Sequence, residues 1–130
     1  MGAEENREIV RRGYEAFNSG DVETLTELFD EGAVWHLPGR SSLAGDYEGR
    51  DAAFGYFGQL GEGTGGTLNA GLEHLLADGD RVVGIHRNTA ERADKRLDET
   101  TVIIFRLEGG RIVEAWEHHR DLYAWDEFWS

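Results

Sequence analysis

Cysteine is absent from the 130 residues. That excludes disulfides, a thiol nucleophile and any thiolate metal site. Proline occurs once, at Pro38, directly after the run VWHL and before a segment of glycines and charges. Basic residues are scarce: 13 Lys and Arg stand against 26 Asp and Glu, a formal charge of −13. Such a chain repels a phosphate backbone, so nucleic acid is excluded as a partner, and anionic membrane surfaces are disfavoured by the same argument. No apolar run approaches the roughly 20 residues of a membrane-spanning helix. The opening MGAEENREIV also lacks the apolar stretch of a signal peptide. A cytoplasmic protein with no membrane partner is expected.

What the chain does have is aromatic and aliphatic material: 39% of it is hydrophobic, with four Trp, four Tyr and six Phe. A chain of this size buries roughly two thirds of its unfolded surface in one core. One domain over residues 1–130 is therefore expected.

Residues 4–19 read as an amphipathic helix, with Ile9, Val10, Gly13, Tyr14 and Phe17 on one face. Gly20 supplies its stop and Asp21 the cap of a second helix over 22–29, which points Val22, Leu25, Leu28 and Phe29 inward. GAVWHL reads as a short strand ended by Pro38-Gly39, residues 39–49 as a loop, and RDAAFGYFGQL as a third helix burying Phe54, Phe57 and Leu60. From Thr67 the period changes to two. TLNAGLEHLLAD, DRVVGIHRNTAER, RLDETTVIIFRLE and GRIVEAWEHHRD are strand-length segments joined by turn signals. Helices followed by an antiparallel meander make an α+β pattern. The closing DLYAWDEFWS is too aromatic for a free tail and is expected to pack over the rest.

Three segments, YEAFNSGDVETLTELFDEGAVWHLPG, SLAGDYEGRDAAFGYF and GGRIVEAWEHHRDLYAWDEFW, together with the strands between them, resemble the SnoaL-like, ketosteroid isomerase-related branch of the nuclear transport factor 2-like superfamily. The resemblance covers nearly the whole chain. It implies a cone-shaped α+β barrel: three N-terminal helices pack on a curved antiparallel sheet that encloses a mostly apolar cavity. It also implies a homodimer through the outer sheet face and a small apolar or carbonyl-bearing ligand. The superfamily spans isomerases, cyclases, dehydratases, epoxide hydrolases and non-catalytic binding domains, so the fold alone names no reaction.

Candidate chemistry rests on histidines. Counted from Asp30-Glu31, His36 falls where ketosteroid isomerases place their proton-shuttling carboxylate, and an imidazole titrating near pH 6.5 suits that task. The other reading of His36 is a strand-end residue satisfied by a backbone hydrogen bond. Val34 shares its strand face, whereas Trp35 takes the other. In WEHHRD, Trp116, His118 and Arg120 share one face, and Glu117, His119 and Asp121 share the opposite one. The resemblance favours His118 as partner acid or base, with Asp121 orienting it. His119 reads as a half-exposed strand residue and Tyr56 as an ordinary core aromatic.

Tyr14, Phe17, Val34, Phe54, Phe57, His86 and Trp116 are the expected ligand-lining residues. The alternation of β-period residues leaves His86 on either face. The paired tyrosine and neutral acid of steroid isomerases have no counterpart, because their positions fall near Gly13 and Val102. An Asp-Arg-Asp epoxide-hydrolase arrangement would need Asp121 with Arg87 or Arg106. Three strand histidines (His36, His86, His118) with Asp121 could hold a metal only if the fold gathered them, and no local spacing supports that. The expectation is metal-free, cofactor-independent proton-transfer chemistry, as in an isomerase, cyclase or dehydratase. The alternative is a non-catalytic ligand-binding homodimer.

Overall fold

A computed structural model describes residues 2–130. Its elements are α1 (Ala3–Ser19), α2 (Val22–Leu28), β1 (Phe29–Leu37), β2 (Gly45–Glu48), α3 (Arg50–Gly63), β3 (Asn69–Asp78), β4 (Arg81–Arg92), β5 (Lys95–Glu108), β6 (Arg111–His119) and α4 (Leu122–Phe128). The apolar stripe of α1 does what its spacing predicts: Ile9, Val10, Gly13 and Tyr14 are buried, and the helix packs on β3 and β4. Gly20 ends it at φ +70°, where its N–H reaches the carbonyls of Ala16 and Phe17. Only a residue without Cβ adopts that geometry cheaply. Asp21 then caps α2 by accepting from the Thr24 amide.

The α+β expectation holds, with three differences in detail. The sheet is mixed. Its strand order is β2-β1-β6-β5-β4-β3, and β1 runs parallel to β6 whereas the other neighbouring pairs are antiparallel. Within the expected loop, Gly45–Glu48 forms the edge strand β2, pairing Tyr47 with Trp35 and Asp46 with His36. GDYE carries no apolar alternation, so only its pairing partner reveals it. The aromatic C-terminus forms α4, a fourth helix, started by Asp121 accepting from the Ala124 amide and packed on β5 and β6.

Two burial expectations also change. Val22 is 61% exposed, because it sits on the first turn of α2, away from the core. On α3 the buried residues are Ala53, Tyr56 and Leu60, with Phe54 and Phe57 only partly covered.

One close approach shapes the interior. A Cβ built on Gly84 of β4 would lie 2.5 Å from the Tyr14 hydroxyl oxygen. The glycine is therefore what lets the α1 tyrosine lie against the sheet. Gly84→Ala is expected to destabilise the protein by about 1–3 kcal/mol through overpacking, seen as a lower urea midpoint. An unchanged midpoint would show that Tyr14 is free to move aside.

Candidate active site

Alternation along the strands decides what faces the helices. Trp35 of β1, His86 and Asn88 of β4, Glu99 and Thr101 of β5, and Glu117 of β6 are all buried on the inner side. Between sheet and helices lies a cavity of about 70 Å³. Its walls are aromatic and aliphatic, including Phe17, Phe29, Trp35, Phe57 and Phe105, and its polar groups are Tyr14, Tyr56, His86, Asn88 and Glu117. No Lys or Arg side chain lines it.

Glu117 is the centre of this polar set. It accepts hydrogen bonds from the Trp35 indole N–H at 2.9 Å and from the Tyr56 hydroxyl at 3.0 Å, while its Oε2 lies 2.5 Å from His119 Nε2. His119 Nδ1 lies 3.0 Å from Glu99 Oε2, so the imidazole bridges two carboxylates. The His119 side chain is fully enclosed, and its ring stacks on Trp125 of α4 with centroids 4.1 Å apart. Burial works against a charged ring there. The hydrogen bonds and negative charges of Glu117 and Glu99 outweigh it and push His119 up to about 9. His119 is accordingly an imidazolium at neutral pH.

A second pair faces the same cavity. The Tyr14 hydroxyl lies 2.8 Å from His86 Nδ1. Burial pushes His86 down to about 4, so its ring is neutral, and burial together with the nearby Glu117 charge raises the Tyr14 phenol. A neutral imidazole and a phenol hold two polar protons between them. One closes their mutual bond, and the other sits on His86 Nε2 or on the Tyr14 oxygen, according to the tautomer. The Tyr56 phenol is likewise held protonated by burial and by Glu117.

The expected site residues divide sharply. Tyr14, Phe17, Phe57 and His86 line the cavity. Val34, Phe54 and Trp116 are not among its lining. His36, expected to look inward, lies on the outer face, because Trp35 takes the inner one. Its ring stacks on Trp116 and sits 2.6 Å from both Asp46 of β2 and Glu114 of β6. Partial burial there is outweighed by the two carboxylates, which raise its pKa, and the His36 bond in turn lowers that of Glu114.

His118 is exposed on the outer side, and Asp121 caps α4. Arg87 pairs with Asp98, and Arg106 with Glu108 and Glu114, away from the cavity. An Asp-Arg-Asp constellation is thus not assembled from these residues. Among the described residues no cluster of three or more His, Asp or Glu is arranged to hold a metal. The inward pair of β6, Glu117 and His119, was visible in the sequence as one face of WEHHRD. Period-two alternation separates two faces without saying which is inside.

The fold, helices on one face of a mixed sheet, is similar to that of a nuclear transport factor 2-like protein of Burkholderia xenovorans, at 21% identity and TM-score 0.85 over 100% of this chain and 99% of that one. The SnoaL-like domain family matches residues 10–115, and the chain belongs to that family. It is 34% identical to an uncharacterised protein of Mycobacterium tuberculosis, over 95% of each chain. Among solved structures it is similar to Bal32a, from a soil-derived mobile gene cassette, at 61% identity and TM-score 0.97 over 98% of each chain. It is also similar to IdmH of Streptomyces antibioticus, provisionally assigned as a polyketide cyclase. That match has 26% identity and TM-score 0.73 over 92% of this chain and 96% of that one.

The charge state of His119 has a consequence for stability. Its folded pKa of about 9 lies above the ordinary imidazole value near 6.5. The stabilisation is complete below about pH 6.5 and is lost as pH rises through about 9. His36, also raised, contributes with the same sign. Urea midpoints of the wild-type protein should therefore fall between about pH 6.5 and 9, and His119→Gln should flatten most of that slope. A midpoint that rises across the window would contradict the bridged imidazolium.

Proposed function

We propose that the protein catalyses proton transfer on a compact, uncharged carbonyl compound, in the manner of an isomerase or cyclase, with Glu117 as the general base. The observation that carries this reading is the Glu117 carboxylate itself. It is buried at the wall of an apolar cavity and is held by Trp35, Tyr56 and His119. A carboxylate in that setting is aimed and desolvated, as a positioned base requires. The Tyr14–His86 pair supplies the other half, a donor within the same cavity for a carbonyl oxygen as it gains negative charge.

The ligand chemistry follows from the lining. With a carboxylate and no cationic Lys or Arg, the cavity disfavours anionic substrates. Its volume of about 70 Å³ is well below the roughly 300–1,000 Å³ of sites for drug-sized ligands. That supports a compact substrate over a polycyclic one. The non-catalytic reading draws on the outward placement of His36 and His118. The convergence of Glu117, Tyr14 and His86 on one cavity favours catalysis.

Simple ketones can stand in for the natural substrate in the test. Deuterium incorporation from D2O at the α-carbons of a panel of small ketones, such as cyclopentanone and cyclohexanone, is followed by NMR. Glu117→Gln should slow exchange by about 100-fold or more, while His36→Ala and His118→Ala leave it unchanged. Equal exchange in the wild type and Glu117→Gln across the panel would overturn the assignment.

A further inference from the structure

Glu99 lies behind the cavity wall and takes no part in lining it. It projects from the inner face of β5, opposite Asn88 of β4, with its side chain 2% exposed. One oxygen, Oε2, accepts from the Thr101 hydroxyl at 2.8 Å and meets His119 Nδ1 at 3.0 Å. The other, Oε1, is buried with no hydrogen-bond partner in the protein. A carboxylate present only for stability would be poorly used here. Burying a charge with half its acceptors idle costs more than an apolar residue of similar size. What Glu99 does have is a direct line through the imidazole to Glu117.

We propose that Glu99 is a positioning residue for the proton transfer at Glu117, holding the His119 ring paired while Glu117 loses its charge. The inference rests on Glu117 being the base. Before reaction, two carboxylates share one imidazolium. In the step, the substrate C–H bond breaks, its electron pair stays on the substrate as an enolate, and the proton passes to the Glu117 carboxylate. His119 keeps both ring protons throughout.

With Glu117 neutralised, the imidazolium would be a buried cation without a counter-charge if His119 had no second partner. Glu99 is that partner. Thr101 fixes it, donating to Glu99 Oε2 and accepting from Asn88 Nδ2 at 2.8 Å. The groups facing His119 are Glu117 on its own strand, Glu99 and Thr101 on β5, His86 on β4, Tyr56 of α3 through Glu117, and the Trp125 ring of α4. Among the described residues, Glu117 and Glu99 supply the negative charges that act on it.

The charge state of His119 can be read directly. Ring-nitrogen NMR of histidine-labelled protein should show both His119 nitrogens protonated at pH 7.5 in the wild type, titrating at about 9. Glu99→Gln keeps the shape and an acceptor for Thr101 but removes the charge. It should lower the His119 midpoint by about one unit or more. Glu99→Asp, which keeps the charge, should restore most of that shift. In the ketone panel, Glu99→Gln should slow deuterium exchange by about 10-fold or more, with partial recovery in Glu99→Asp. A midpoint unmoved in a folded Glu99→Gln, or a moved midpoint with unchanged exchange, overturns the role of Glu99. Exchange indifferent to Glu117→Gln overturns the base assignment instead, whatever the His119 titration shows.

Discussion

A carboxylate can be buried among aromatic rings only where donors and a counter-charge meet it, and Glu117 imposes that condition on this fold. The donors come from separate parts of the chain: the Trp35 indole from β1, the Tyr56 hydroxyl from α3 and the His119 ring from β6. The parallel pairing of β1 with β6 sets Trp35 beside Ala115, one inward position from Glu117, which is what brings the indole within 2.9 Å. The closing helix α4 then lays Trp125 over His119 and keeps water from the imidazolium. Arg92 and Lys95 hold that helix by donating to the carbonyls of Phe128, Glu127 and Ser130.

The sheet thus carries two polar systems on opposite faces, and their surroundings give them different weight. Outside, His36 bridges Asp46 and Glu114 and stacks on Trp116, with its side chain 28% exposed. Solvent screens such a cluster, and exposed ion pairs contribute little, typically up to about 1 kcal/mol. It ties the edge strand β2 to its neighbours. Inside, the same motif of one histidine between two carboxylates is fully enclosed, and there charge balance controls which protons can move. The chemistry follows burial, since the residue types in the two clusters are alike.

Much of the fold was legible locally. The stripe of α1, the Gly20 stop, the Asp21 cap and the turn glycines between the long strands each rest on interactions within a few residues. Edge strand β2 was not legible, because GDYE is defined by its pairing to β1 and lacks an apolar pattern. On β6, alternation correctly separated Trp116 and His118 from Glu117 and His119. The resemblance favoured the face of Trp116 and His118, and the fold turns that face outward. The Trp116 ring is instead stacked outside on His36, while the polar inner face is tolerable because Glu117 and Glu99 both pair with the His119 ring.

The sequence by itself determined the periods: which residues share a helix stripe, which share a strand face, where the chain turns, and a formal charge of −13. Those properties depend on neighbours along the chain and on summed charge. Only the tertiary structure decided which face is buried and which charges meet. Glu117 finds Trp35 across 82 residues and Tyr56 across 61, while Tyr14 finds His86 across 72. Hydrogen bonds and desolvation act over a few ångströms in space, so a site assembled from such distant positions exists only once the sheet has closed over its core.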